Sequence, residues 1–324
     1  MVFKKLLGAL GVGGPTLDTV LEGGPVLPGG TLHGQVHLVG GKADYDIEQI
    51  TLELVARVEA EHDGGESEGT VSFERFAVGG GFRLAEGERR SIPFEVAVPW
   101  ETPVTEVHGQ PLGVVLGVRS ELAVSGSKDK GDLDPLTVRP LPVQQAVLEA
   151  FGRLGFDFKS ADLEYGHIGG TGQQLPFYQE VELTPAPQYA HAMREVEVTF
   201  LANPGGMEVV LEADKRGGLF SAGHDAVNRF TVSHEGVEGR DWDAEVEGWV
   251  RQLVAGQGVY TSPAPYGHEY GEQHHPEGGQ RSGPGMGTVV AAGAAGLAVG
   301  VVGGLVAAEV IDEVGDAFED DDEG

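Results

Sequence analysis

Along Ile50, Leu52, Leu54, Ala56, Val58 and Ala60 every second residue is apolar. Thr51, Glu53, Arg57, Glu59 and Glu61 fill the places between, with Val55 the exception. Period two sends one set to each face of a strand, whereas a helix would scatter both around its circumference. The stretch is therefore a long strand with one face in a core. The same reading holds for Leu32, Gly34, Val36 and Leu38, and for Ile92, Phe94, Val96 and Val98, which stop at Pro99. It holds again for Val114, Leu116, Val118, Ser120, Leu122 and Val124. Val71 and Phe73 keep the phase, but Phe76 and Val78 have slipped by one, which predicts a bulge or turn between them. Gly64-Gly65, Gly79-Gly80-Gly81 and the stretch from Ser125 to Asp134 supply the connectors. Residues 1–140 thus read as a β-sandwich domain of antiparallel strands.

Arg139-Pro140-Leu141-Pro142 follows as an extended link, because two prolines with one residue between them resist helix. Val147, Leu148 and Phe151 then recur at helical spacing, predicting a short helix from Val143 to Leu154. Alternation resumes at Phe177, Val181 and Leu183, at Val196, Val198 and Phe200, at Val209 and Leu211, and at Phe230 and Val232. Trp242, Val246, Trp249, Val250 and Leu253 recur at three- and four-residue spacing behind Asp241, a capping residue, so residues 241–254 are expected to be helical. Residues 141–255 read as a second β-sandwich with a terminal helix docked on it. The fold class is all-β: two tandem sandwiches with short helices.

Beyond this the composition changes. Residues 256–285 are rich in Gly, Pro, Tyr, His and Glu without periodicity, and read as a flexible linker. From Ser282 to Ala308 there is no charged residue. Thr288, Ala292, Gly296, Gly300, Gly304 and Ala308 recur every fourth residue, which on a helix over 286–311 makes one smooth stripe of small side chains. Repeated GxxxG spacing lets helix backbones approach closely, as in membrane helix pairs, and the run is long enough to cross a bilayer. Gly and Ala supply little transfer free energy, however, and only Arg281 flanks the run on one side. Membrane contact, self-association in water and a disordered tail are the three outcomes open to it. An acidic tail, residues 312–324, closes the chain. At the other end, Lys4-Lys5 before Leu6-Leu7-Gly8-Ala9-Leu10 mimics a signal peptide, but the apolar stretch is short and broken by Gly8, so an amphipathic arm is expected.

A formal net charge of -30 disfavours nucleic acid and anionic lipid surfaces as partners and keeps the chain soluble. The absence of cysteine removes disulfides, thiolate metal sites and cysteine nucleophiles, and suits a reducing cytoplasm. Asp129, Asp132 and Asp134 stand in a polar loop with Lys128 and Lys130, too loosely spaced for a calcium loop. Glu61-His62-Asp63 with Glu66 and Glu68 is a similar cluster at a hairpin tip. His268, Glu269, Glu272, His274 and His275 crowd in the linker, where fixed metal geometry is lacking. Ser221, His224 and Asp225 have the residue types of a triad but sit in a Gly-flanked turn without a nucleophile elbow. Trp100 reads as a turn-packing residue or a contact point. No catalytic, cofactor or metal residues are assigned on these grounds, and the chain is expected not to be an enzyme.

Several separate segments resemble the sporulation-control protein M family. They are Phe3-Lys4-Lys5, Asp18-Thr19-Val20-Leu21-Glu22, Gly34-Gln35-Val36-His37-Leu38-Val39-Gly40-Gly41-Lys42 and Pro99-Trp100-Glu101-Thr102-Pro103-Val104. Arg139-Pro140-Leu141-Pro142 and Leu175-Pro176-Phe177-Tyr178-Gln179-Glu180 follow in the family's order and spacing. The resemblance covers roughly residues 1–250 and leaves the tail outside it. It implies arrestin-like folds for both sandwiches, no catalytic centre, and a cytoplasmic scaffold or adaptor that works through protein–protein contacts in cell-cycle, envelope or stress regulation. The alternative is a membrane-associated structural protein that self-assembles through the glycine stripe.

Overall fold

The computed structural model describes residues 13–62, 65–125, 130–215 and 226–256. The first half carries β1 (Thr16–Glu22), β2 (Thr31–Val39), β3 (Tyr45–His62), β4 (Gly65–Leu84) and β5 (Arg89–Ala97). A small ribbon follows, β6 (Glu106–Val107) with β7 (Gln110–Pro111), then β8 (Leu116–Val124) and β9 (Lys130–Pro135). The second half opens on helix α1 (Pro142–Arg153) and continues through β10 (Asp157–Tyr165), β11 (Phe177–Thr184), β12 (Met193–Asn203), β13 (Gly206–Lys215) and β14 (Ala226–Val232) to helix α2 (Trp242–Val254). No described helix is long and apolar enough to cross a membrane.

Strands β1, β2 and β5 form one sheet; the larger sheet runs β14-β13-β12-β11-β10-β3-β8-β9, with β4 also paired to β3. The first core lies between them, filled by the alternating residues: Leu32, Val36 and Leu38 from β2, Ile50, Leu52, Leu54, Ala56 and Val58 from β3, and Leu116, Val118 and Leu122 from β8. The slipped phase in β4 is a bulge. Leu54 pairs with Glu74 and Val55 with Ser72, leaving Phe73 as the extra residue. A second bulge lies at Val78, because Ile50 pairs with Gly79 and Thr51 with Ala77.

Two features of β3 go beyond its pattern. Its second face is also covered at the centre: Glu53 is only 5% exposed. Arg75 of β4 and Arg119 of β8 lie directly opposite Glu53 on either side, and both ion-pair with it. Two guanidinium groups over one carboxylate satisfy the charge while their stems exclude water. In addition, β3 outruns β8, and its far end pairs in parallel with β10 through Glu59 and Glu164. That bridge makes one sheet of the two halves.

The second core is closed by helices. Val181, Leu183, Val196, Val198, Val209 and Leu211 point from the sheet toward Val147 and Phe151 of α1 and Val246, Trp249, Val250 and Leu253 of α2. A second pair of facing sheets is not seen among the described residues, which form a mostly β fold with two short helices. Alternation cannot separate the two layouts, since a strand needs one apolar face whether sheet or helix covers it. Both helices start where their end chemistry dictates. Pro142 opens α1, and the Gln144 side chain accepts from the Leu141 N–H at 2.8 Å. The Asp241 carboxylate accepts from the Ala244 N–H at 3.1 Å at the head of α2.

Candidate functional site

The face of β10–β13 turned away from the helices is acidic. Antiparallel register sets Asp162 opposite Glu180, Glu164 opposite Tyr178 and Ser160 opposite Glu182. It continues with Glu182 opposite Glu197 and Glu197 opposite Glu212, while Glu59 of β3 stands beside Glu164. Apolar residues alternate toward the core, so the intervening acids share the other face. One carboxylate oxygen from each of Asp162, Glu164 and Glu180 lies within 4.8 Å of the others, and all three residues are half-buried.

Crowded like charges out of water resist ionisation. Burial, reinforced by Glu197, Asp162, Glu212 and Glu164, pushes the Glu180 carboxyl up to about 9. Asp162 is pushed up to about 6 by burial and by Glu182, Glu59 and Glu195, with Lys159 opposing. Its Oδ1 is buried without a hydrogen-bond partner. The Tyr178 hydroxyl is pushed up by burial and by neighbouring acids, Glu180 foremost. At the rim the balance reverses. Burial works to raise Glu182, but hydrogen bonds from Lys159 and Ser160 hold it below its ordinary value. Lys159 in turn pairs with Glu182 at 2.8 Å and with Glu195. Chemically, the inner carboxyls form an oxygen donor set that can share protons or take up positive charge.

A cleft of about 570 Å³ opens between the β6–β7 turn and α1, lined among others by Leu27, Glu106, His108, Arg139 and Glu149. Its Glu149 is engaged by His108 Nε2 at 3.1 Å, by Gln145 at 2.8 Å and by Arg153 at 3.5 Å. Of these, the His108 contact fastens α1 to the turn, while the other two lie within the helix.

The residues singled out from sequence fall elsewhere. The stripe Thr288, Ala292, Gly296, Gly300, Gly304 and Ala308 lies outside the described residues, as do Ser221, His224, Asp225, Asp129, Asp63, the linker histidines, the N-terminal arm and the acidic tail. Asp132 joins β1 to β9: its carboxylate accepts from the Thr19 N–H at 2.8 Å and from the Leu133 N–H at 3.1 Å. Glu68 is exposed on β4. Trp100 packs rather than protrudes. It stacks on His234 at 5.2 Å, and its ring occupies the space a Cβ on Gly29 would need. The acidic face escaped the sequence reading because its members come from separate strands. The signal was there at Asp162 and Glu164, at Glu180 and Glu182, and at Glu195 and Glu197, each an acid pair at period two.

Two segments that carry the family resemblance meet in space. The Glu101 carboxylate accepts from the Gln174 N–H at 2.7 and 2.9 Å and from the Leu175 N–H at 2.9 Å. The Gln179 amide accepts from the Val104 N–H and donates to the Val104 carbonyl, both at 2.8 Å. Thus Pro99–Val104 clamps Leu175–Glu180, and with it the first half to the second. The family model described as SpoOM protein matches residues 3–217, which include both partners of this clamp. The sporulation-control protein spo0M of Bacillus subtilis strain 168 is 36% identical over 216 residues, 66% of this chain and 81% of that protein. The crystal structure of Spo0M, sporulation control protein, from Bacillus subtilis matches with a TM-score of 0.64 at 29% identity, covering 75% of this chain and 99% of that one. These matches lead to one conclusion: the chain belongs to the SpoOM protein family.

Proposed function

We propose that the protein is a non-catalytic, arrestin-like adaptor that acts in the cytoplasm by holding surfaces against other proteins. The observation that carries this reading is the clamp between the halves. Glu101 commits its carboxylate to two backbone N–H groups, and Gln179 commits both ends of its amide to one residue. Charge-assisted and two-sided hydrogen bonds are the strong kind, and here they fix one half against the other rather than converge on a substrate space. The β3–β10 bridge and the edge-to-face contact of Phe73 with Phe177, at 5.4 Å and 84°, add to the same joint. An adaptor needs such a joint, because two surfaces engage one partner together only if their spacing is fixed.

The test is photo-crosslinking in cells from two exposed positions, Val20 in the first half and Phe158 in the second, with and without Glu101→Ala. The reading expects the same few proteins from both positions, and loss of joint capture in the variant. Capture at neither position above the level of an unrelated soluble protein overturns it.

A further inference from the structure

The first sandwich is closed on one flank and open on the other. On the closed flank β1 meets β9 through the Thr19–Asp132 bond and a buried contact of 2.6 Å between the Thr19 and Ser120 hydroxyls. On the open flank, β4 pairs with β3 alone among the described residues; β5 belongs to the other sheet. A long strand with one free edge offers backbone groups for pairing, and at its centre the Arg75 N–H donates to the Glu74 carboxylate at 3.1 Å. Of the usual protections, Gly65–Leu84 has bulges and charged side chains but neither Lys nor Pro. Val71, Phe73, Phe76 and Val78 pack on the core only in part, so their outer flanks lie along this edge.

The middle of the strand reads Val71-Ser72-Phe73-Glu74-Arg75-Phe76-Ala77-Val78 and is chemically palindromic. Read from both ends, it sets Val against Val, Ser against Ala, Phe against Phe and Glu against Arg. Exposure is palindromic too: residues 71, 73, 76 and 78 are half-buried, and 72, 74, 75 and 77 are exposed. A regular strand could not do this, because positions an odd number apart lie on opposite faces. The bulge at Phe73 restores the phase by leaving Glu74 and Arg75 both outward.

We propose that β4 is a homodimerisation edge, pairing antiparallel with β4 of a second copy about a two-fold axis between Glu74 and Arg75. A two-fold contact must be self-complementary, and this register is. Glu74 faces Arg75 of the copy, Phe73 faces Phe76, and Val71 faces Val78, each pair occurring twice. Cross-strand aromatic and opposite-charge pairs are the contacts that stabilise antiparallel strands. Arg75 keeps its pairing with Glu53 and Glu121 on its own chain, which holds its side chain on the outer face. The contact is independent of the adaptor reading and of the glycine stripe.

The chain has no cysteine, so introduced thiols report the register directly. Opposite residues in antiparallel strands have Cα atoms about 4.5–5.5 Å apart, within disulfide range. Full-length Ser72→Cys and Ala77→Cys chains, both altered at exposed positions, are mixed and mildly oxidised. The proposal expects a covalent dimer in the mixture and little from either chain alone. Glu74→Arg, which replaces two attractive pairs with two repulsive ones, is expected to weaken the dimer of the otherwise native chain roughly tenfold in sedimentation. No link in the mixture, or equal links in the single chains, overturns the proposal. So does a higher oligomer that forms without the 72–77 link, or a sedimenting monomer at concentrations where oxidation yields nothing.

Discussion

Glu180 favours the folded chain only while it keeps its proton. Its carboxyl is pushed up to about 9, so its contribution is complete below the ordinary value of 4.5 and drains away as pH climbs toward about 9. Asp162, pushed up to about 6, adds to the loss in the lower part of that window. Glu180→Gln preserves shape and removes the ionisation. The native chain is therefore expected to lose stability from about pH 5 to about pH 9, and the variant to lose less. The gap should grow to about 1–3 kcal/mol, below the value for an isolated site because the neighbouring carboxyls redistribute their protons. Urea unfolding at stepped pH checks this, and a gap that stays flat with pH would mean that the carboxyl ionises freely in the fold. Glu180, Glu182, Glu197 and Glu212 were legible as polar positions between the apolar residues of β11, β12 and β13, whereas Asp162 and Glu164 stand on β10, which the alternation did not single out. What was not legible is that the faces lie side by side, because strand order depends on which strands meet and not on what any strand contains.

At the scale of elements, the sequence was read best where one element's own chemistry decides its form. The bulge at Phe73 followed from a phase slip between Phe73 and Phe76, and α2 from the spacing of Trp242, Val246 and Trp249 behind the Asp241 cap. The closure of the second core by α1 and α2 did not follow, since the inward faces of β11–β13 carry the same Val and Leu alternation that a facing sheet would require. The clamp was visible only as two family-like segments, with nothing to say that they touch. It makes a prediction of its own. Glu101→Ala leaves the Gln174 and Leu175 N–H groups without their carboxylate, and is expected to cost about 1–3 kcal/mol. Hydrogen exchange should quicken first at those two amides and at Val104, ahead of the strands of either core. Uniformly faster exchange throughout the chain would instead mean that the clamp has no local role.

The two halves share their cores. Leu163, Leu175 and Phe177, all from beyond the helix α1, sit in the first core, while Trp100, from before it, packs against the second. The shared parallel bridge of β3 and β10 runs between them, and the clamp crosses the same boundary. Removing either half would expose apolar surface belonging to the other, which costs about 25 cal/mol for each Å² uncovered. The Pro140-Leu141-Pro142 link is thus a break in the chain's pattern that is expected not to break its cooperativity. Residues 13–256 are expected to unfold in a single calorimetric transition whose van't Hoff and calorimetric enthalpies agree. Phe177→Ala, which empties the place where the second half enters the first core at 1% exposure, should lower that one transition by about 3–5 kcal/mol of stability and leave it single. If the halves were independent, the same substitution would split the trace, moving the first core's melting while the helix-covered sheet kept its own; a split trace is the result that would separate them.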